Sequence, residues 1–346
     1  MTASEPTRLM VLVNPQARGN RRDPVSAEVV SELLGPEASF VVTPDSSAVA
    51  GIAARLLDSD LDLLIVSGGD GTLHLLLTEL LRRTGGDAGP IPPILLLRGG
   101  TMNMAAANLS TTRSPLMELR VLAHVLRRRT PPSRLPVRTV SPLRIEADGI
   151  AGPLFGLVFA NGIAFRILNE YYQGTPSVTR AFNVTASIIA GAFMSRELER
   201  RYFCRLPATV RVDGTVVGRR DLRISVASAV PRLLLWFTIF EQQPLSAGEF
   251  YFLANFMKTR EIARNFWALC RGPFEAPRHV NRTARRVEMR GAGGFTVDGE
   301  VYSGDDGSDR CEIVAGPPVR FVDLSGFALP GYTWSDPIRS ALDQAG

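Results

Sequence analysis

The sequence predicts two domains of different class: an N-terminal doubly wound, three-layer α/β domain over residues 1–132 and a β-rich domain over 133–325. A tail over 326–346 either returns to the first domain or frays. Three observations carry this. Four short apolar runs alternate with helical patterns before residue 130, as parallel strands joined by crossover helices do. Thr130-Pro131-Pro132-Ser133 then interrupts the pattern. Beyond it, apolar segments are joined by Asp-Gly pairs, a hairpin signal.

The elements follow in order. Leu9 to Val13 is a strand, and Asn14-Pro15-Gln16-Ala17-Arg18-Gly19-Asn20 its loop. Asp23-Pro24 offers a cap and a first-turn proline for a helix that Gly35 ends. Ala38 to Val42 is the second strand, and Thr43-Pro44-Asp45-Ser46 opens a helix with Val49, Ile52, Ala53 and Leu56 on one face. The apolar run from Leu61 to Ser67 reads as a buried parallel strand, cut off by Gly68-Gly69-Asp70-Gly71-Thr72. That stretch is expected to be a five-residue turn whose glycines supply positive φ and bare backbone. Leu73, Leu76, Leu77, Leu80 and Leu81 then mark a helix packed back on the sheet. Ile94 to Leu97 is the fourth strand, Arg98-Gly99-Gly100-Thr101-Met102-Asn103 a second glycine turn, and Ser114-Pro115 caps one more helix.

In the second domain the strands are Val137 to Ala147, Leu154 to Ala160, Thr209 to Val212, Leu222 to Ala229, Arg285 to Arg290, Gly294 to Tyr302 and Cys311 to Val322. Two helices interrupt them, at Thr179 to Met194 and at Ser246 to Cys270, the second opened by a Ser-x-x-Glu box at Ser246 and Glu249.

Composition bounds the function. A chain of 346 residues can bury two cores. The first strand begins by Leu9 after a polar start and no run of eighteen apolar residues occurs, so a cytoplasmic protein is expected. Cys204, Cys270 and Cys311 show no metal spacing and read as buried thiols. Lys258 is the single lysine among 39 cationic residues, an arginine bias that reads first as compositional. The net charge of +5 suits a nucleotide or an anionic membrane surface equally. No zinc spacing or helix-turn-helix pattern points to nucleic acid.

The chemistry concentrates at the first glycine turn. Helix N–H groups without intrahelical partners, aimed out of a glycine turn, attract phosphate. Asp70 in such a place suggests a bound cation or a proton to be moved. His74 reads as a helix-surface residue. Asp298-Gly299-Glu300, taken alone, reads as a hairpin turn with solvated acids. Leu233 to Phe240 and Phe250 to Trp267 are apolar enough for a lipid pocket or a membrane-dipping surface, although a sandwich strand and core helix explain them more simply.

Taken together, Asn14-Pro15, Thr43, Gly68-Gly69-Asp70-Gly71-Thr72, Gly100-Thr101-x-Asn103 and Val297-Asp298-Gly299-Glu300 resemble the diacylglycerol kinase and sphingosine kinase group of lipid kinases. The glycine loop is shared with NAD kinases and phosphofructokinases; the Asn-Pro loop and the late Asp-Gly-Glu narrow the choice. The resemblance implies ATP bound between an α/β domain and a β-sandwich domain, with Mg²⁺, and a lipid hydroxyl as acceptor. Asn14, Thr43, Gly68, Gly69, Asp70, Gly71, Thr72, Gly100, Thr101 and Asn103 become nucleotide neighbours. Asp70 resembles the family's base, and Asp298 and Glu300 match an acidic pair that handles magnesium or a proton, so that Asp70 and Asp298 compete for the base role. A peripheral contact at the inner membrane face fits the same resemblance. Leu75, Arg98, Met104 and Phe165 depart from the family's usual residues. Two other readings therefore stand beside the lipid kinase: an NAD kinase-type enzyme, and a nucleotide- or lipid-binding protein impaired in catalysis.

Overall fold

A computed structural model describes residues 7–45, 47–110, 113–128, 130–172, 203, 205–233, 239–240, 243–265, 268–269, 274, 276–302 and 310–329. The chain forms two compact units, one of Met1–Gly69, Ile91–Thr139 and Arg320–Gly346, the other of Asp70–Pro90 and Val140–Val319. It passes between them four times instead of dividing once near residue 132.

The first unit is built on a sheet of six strands in the order β2-β1-β3-β4-β18-β5. Its members are β1 (Leu9–Val13), β2 (Ser39–Val42), β3 (Leu63–Gly68), β4 (Ile94–Arg98), β5 (Val137–Val140) and β18 (Val319–Val322). The β1/β2, β1/β3, β3/β4 and β4/β18 pairs are parallel. Every residue of β1 and β3 is buried, which is why both read as unbroken apolar runs. Strand order reverses at β1, so the carboxyl ends of β1 and β3 flank the switch point where such sheets bind ligands. Helices α1 (Arg18–Arg22), α2 (Ala27–Leu34), α3 (Ala48–Leu57), α5 (Met104–Leu109) and α6 (Pro115–Arg127) accompany the strands. Val11, Leu63, Ile65, Leu95, Leu119, Leu122 and Val322 share one core.

Several local expectations are corrected here. Asp23 does not open a helix; its N–H donates to Gly19 O at 3.0 Å and closes α1, while Ser26 caps α2 by accepting from Val29 N. Gly35 ends α2 as expected, at φ +97°. The glycine turn after β3 is a single residue, Gly69, because Asp70, Gly71 and Thr72 are already the first turn of α4 (Asp70–Arg83). Gly68, Gly69 and Gly71 do not adopt positive φ. Glycine is needed instead for close approach: a Cβ on Gly100 would fall on the Cα of Gly69, so two backbones touch where no side chain fits.

The second unit holds two six-stranded sheets, ordered β10-β9-β14-β17-β6-β7 and β13-β12-β11-β8-β15-β16. The first contains β6 (Leu143–Ala147), β7 (Leu154–Gly156), β9 (Thr209–Val212), β10 (Thr215–Arg219), β14 (Arg286–Arg290) and β17 (Arg310–Ala315). The second contains β8 (Val158–Gly162), β11 (Ile224–Ser228), β12 (Phe250–Asn255), β13 (His279–Ala284), β15 (Phe295–Val297) and β16 (Glu300–Tyr302). Each strand is paired antiparallel with its neighbours. Ile145, Val210, Val287 and Ile313 of one sheet share a core with Phe159, Phe250, Phe252 and Phe295 of the other, a sandwich. Helix α7 (Ile163–Tyr172) follows β8, and α8 (Thr259–Arg264) follows β12.

One arm of the box at Ser246 and Glu249 forms, with Ser246 N donating to Glu249 Oε2 at 3.1 Å, but it leads into strand β12 and not into a helix. Aromatic residues that pair with β11 and β13 and are wholly buried decide for strand. Buried in this way, Phe250 to Asn255 offer nothing to a membrane, and the core explanation holds for them. The run expected from Cys311 to Val322 splits at Gly316-Pro317-Pro318 into β17 and β18, which join different sheets, since proline breaks a ladder. No helix among the described residues is long and apolar enough to cross a membrane. Cys311 is buried, its thiol pushed up to about 12 mainly by that burial. Cys204, Cys270, the helix expected at Thr179 to Met194, residues 234–238 and the tail beyond 329 lie outside the described residues.

Candidate active site

In the first unit, turns at strand carboxyl ends are held by short polar side chains. Asn14 N donates to Ser67 O at 2.9 Å, and Asn14 Oδ1 accepts from Gln16 N. Thr43 is buried, and its hydroxyl donates to Val13 O at 3.3 Å. Gly68 ends β3 and Gly69 faces Gly100 across the close approach already described. Asn103 adopts a left-handed φ of +53°; its Oδ1 accepts from Gly100 N at 2.7 Å and its Nδ2 donates to Gly100 O at 2.9 Å, with Thr101 partly exposed inside the loop. Thr43 and Asn103 thus spend polar groups on the backbone and shape the turns.

Asn20 is the residue of this region that sequence reasoning missed. It is buried, donates from Nδ2 to both Asn14 O and Ser67 O, and accepts from Ser67 Oγ at Oδ1. One amide therefore pins the carboxyl ends of β1 and β3 at the switch point. Its place in the Asn14 to Asn20 loop was visible, but its role depends on Ser67, far away in sequence.

The second unit gathers all three predicted catalytic acids, because α4 belongs to it. The leucines of α4 are buried as expected, and a second set of its side chains, which are polar, anchors on β7 and the residue before it. His74 Nδ1 bonds Phe155 O at 2.8 Å, Thr78 Oγ1 donates to Phe155 O and accepts from Phe155 N, and Arg82 Nε donates to Pro153 O. These residues recur every four positions and form a polar stripe beside the buried leucines.

Asp70 is the first residue of α4, where the helix dipole favours a negative charge. Across from this turn is the β15–β16 hairpin. Val297 pairs with Glu300, leaving Asp298-Gly299 as a two-residue loop with φ +49° and +93°, the left-handed pair of a type I′ turn. The hairpin reading is right and Glu300 is exposed, but the solvated-acid reading fails for Asp298, which is only 6% exposed. Its Oδ2 accepts from Leu157 N and its Oδ1 from Val158 N, both at 2.8 Å. Burial, opposed by those bonds and reinforced by the charges of Asp70 and Glu300, pushes its carboxyl up to about 8. Burial also raises Glu300. The Glu300 carboxylate lies over Gly71, so that a Cβ on Gly71 would collide with Oε1.

His74 is fully buried rather than on the helix surface. Desolvation drives its pKa down to about 4, so the ring is neutral at pH 7. A carbonyl only accepts, which puts the ring proton on Nδ1 and leaves Nε2 to accept from the Tyr302 hydroxyl at 2.6 Å. Tyr302 is raised to about 12, by burial first and then by the Glu300 charge, and stays protonated.

Carboxylate oxygens of this kind suit magnesium. Among the described residues no three His, Cys, Asp or Glu side chains are disposed to hold a metal alone. A Mg²⁺ carried on a nucleotide needs only one or two carboxylates beside phosphate oxygens and water.

Residues 8–132 match the diacylglycerol kinase catalytic domain. No curated protein matches the chain. Among solved structures, a diacylglycerol kinase from Bacillus anthracis str. Sterne superposes with TM-score 0.59 at 12% identity, covering 94% of this chain and 100% of its own. Two further structures from that organism, provisionally named diacylglycerol kinases, give TM-score 0.62 at 12% and 13% identity with the same coverage. Residues 8–132 thus resemble the diacylglycerol kinase catalytic domain, and the chain as a whole shares its fold with those structures.

Proposed function

We propose that the protein is an ATP- and Mg²⁺-dependent lipid kinase that transfers the γ-phosphoryl group to a lipid hydroxyl. The observation that supports this most is the meeting of Asp70 with Asp298 and Glu300, residues far apart in sequence whose charges act on one another in one folding unit. Phosphoryl transfer is mainly positioning and charge neutralisation, and needs one base for the acceptor hydroxyl.

The hydrogen bonding supports a division of labour that the sequence left open. Both oxygens of Asp298 already accept main-chain N–H groups, so Asp298 holds the hairpin. Asp70 would then take the acceptor proton, and Glu300 is the carboxylate that would hold an ion brought in with the nucleotide. When bound, that ion offsets the charge of the triphosphate. Within the first unit, the turns at Asn14, Thr43 and Gly100 to Asn103 are the candidate nucleotide contacts that the family resemblance names.

The test is phosphate transfer from γ-labelled ATP to a mixed lipid extract and, in parallel, to NAD. Label is expected in lipid, and Asp70→Asn should abolish it while leaving thermal unfolding cooperative. Label in NAD alone, or undiminished lipid turnover by Asp70→Asn, overturns the reading.

A further inference from the structure

The strongest unassigned feature is the buried bond between His74 and Tyr302. His74 is one helical turn beyond Asp70 on α4, and residues four apart share a helix face. Tyr302 is two residues beyond Glu300 on β16, and residues two apart share a strand face. The Nε2 to hydroxyl bond of 2.6 Å is therefore a rung beside the Asp70 and Glu300 end of the same helix–strand pair.

We propose that the His74–Tyr302 bond is a positioning device that sets the spacing between Asp70 and Glu300. It rests on the kinase reading for its catalytic consequence, but the geometry stands alone. Each end is anchored independently. His74 Nδ1 donates to Phe155 O at 2.8 Å, so the ring cannot rotate without losing a buried bond. The Tyr302 ring stacks on Phe295, with centroids 5.4 Å apart, and meets the His74 ring edge-on. Gly71 completes the arrangement, since only glycine leaves room for the Glu300 carboxylate over the first turn of α4.

Tyr302→Phe removes one hydroxyl and leaves the ring packing in place. It should lower kcat about tenfold, less than the roughly hundredfold cost of a fully misplaced group because the ring packing still restrains the pair, with KM for ATP changed less than about twofold. The control is Thr78→Val, one turn further along the same stripe, which also breaks buried bonds to Phe155. It should cost comparable thermal stability and leave kcat unchanged. Equal kcat for Tyr302→Phe and wild type, or equal losses in both variants, overturns the proposal. Absence of any turnover in the wild type would retire the kinase reading alone. Crystal structures of wild type and Tyr302→Phe then decide: a shifted Asp70 to Glu300 separation supports positioning, and an unchanged one overturns it.

Discussion

Two Asp-Gly hairpins in the second unit share sequence, backbone and hydrogen-bond logic, yet differ in everything that bears on chemistry. Asp213-Gly214 joins β9 to β10 with φ +48° and +81°, and Asp298-Gly299 joins β15 to β16 with φ +49° and +93°. Each aspartate accepts from two successive main-chain amides of another segment, Arg285 and Arg286 for Asp213, Leu157 and Val158 for Asp298. Asp213 is exposed and does this with Oδ1 alone. Asp298 is buried, uses both oxygens, and feels Asp70 and Glu300. The local pair decides the turn; the neighbours decide the electrostatics.

The largest expected break in this comparison is at Gly71. Gly71→Ala pushes the flexible Glu300 carboxylate off the first turn of α4. Lipid phosphorylation should fall by about a hundredfold, the scale of a misplaced group. Alanine is also the better helix former by about 1 kcal/mol, so chemical denaturation should show stability equal or higher. Gly214→Ala has open space but a left-handed φ, so it should do the reverse, costing stability and sparing activity.

Next come the aspartates themselves. Asp298→Asn must aim an NH₂ at one of two buried N–H donors, which should cost about 1 to 3 kcal/mol in urea unfolding. Asp213→Asn keeps its single accepting oxygen, and its change should stay within about 0.5 kcal/mol.

The pH dependence sharpens the same contrast. Asp298 has a folded pKa raised to about 8, so above its unfolded pKa the native state holds a proton that the unfolded state has lost. Its contribution to stability therefore falls as pH rises toward 8. His74 is depressed to about 4, so between there and its unfolded value the unfolded state binds the extra proton and its contribution rises with pH. The two slopes oppose each other below about pH 6.5, the unfolded histidine value. Between there and about 8 the opposing histidine slope is gone and the Asp298 slope remains, at most about 1.4 kcal/mol per pH unit. Stability measured by denaturation at stepped pH should show that decline, and Asp298→Asn should flatten it.

What was legible in the sequence was what local periodicity controls. The apolar runs of β1 and β3, the helix faces of α3 and α4 and the Asp-Gly turns can be read because strand and helix repeats place neighbours at short range. Where two local signals competed, the reading failed: Ser26 outranks Asp23 as a cap, and the aromatic run after Glu249 outranks the box before it. The acids were visible as a motif, but their membership of one unit was not.

Sequence alone determined the strand-ending glycines, the carboxylate types and the backbone of each hairpin, since φ preferences and side-chain chemistry belong to single residues and their immediate neighbours. Only the tertiary structure decided that α4 anchors on β7, that His74 is buried against Tyr302, and that Asn20 ties β1 to β3. Burial and hydrogen-bond partnership at such separations exist only once the chain has closed on itself, and they distinguish one Asp-Gly pair from another.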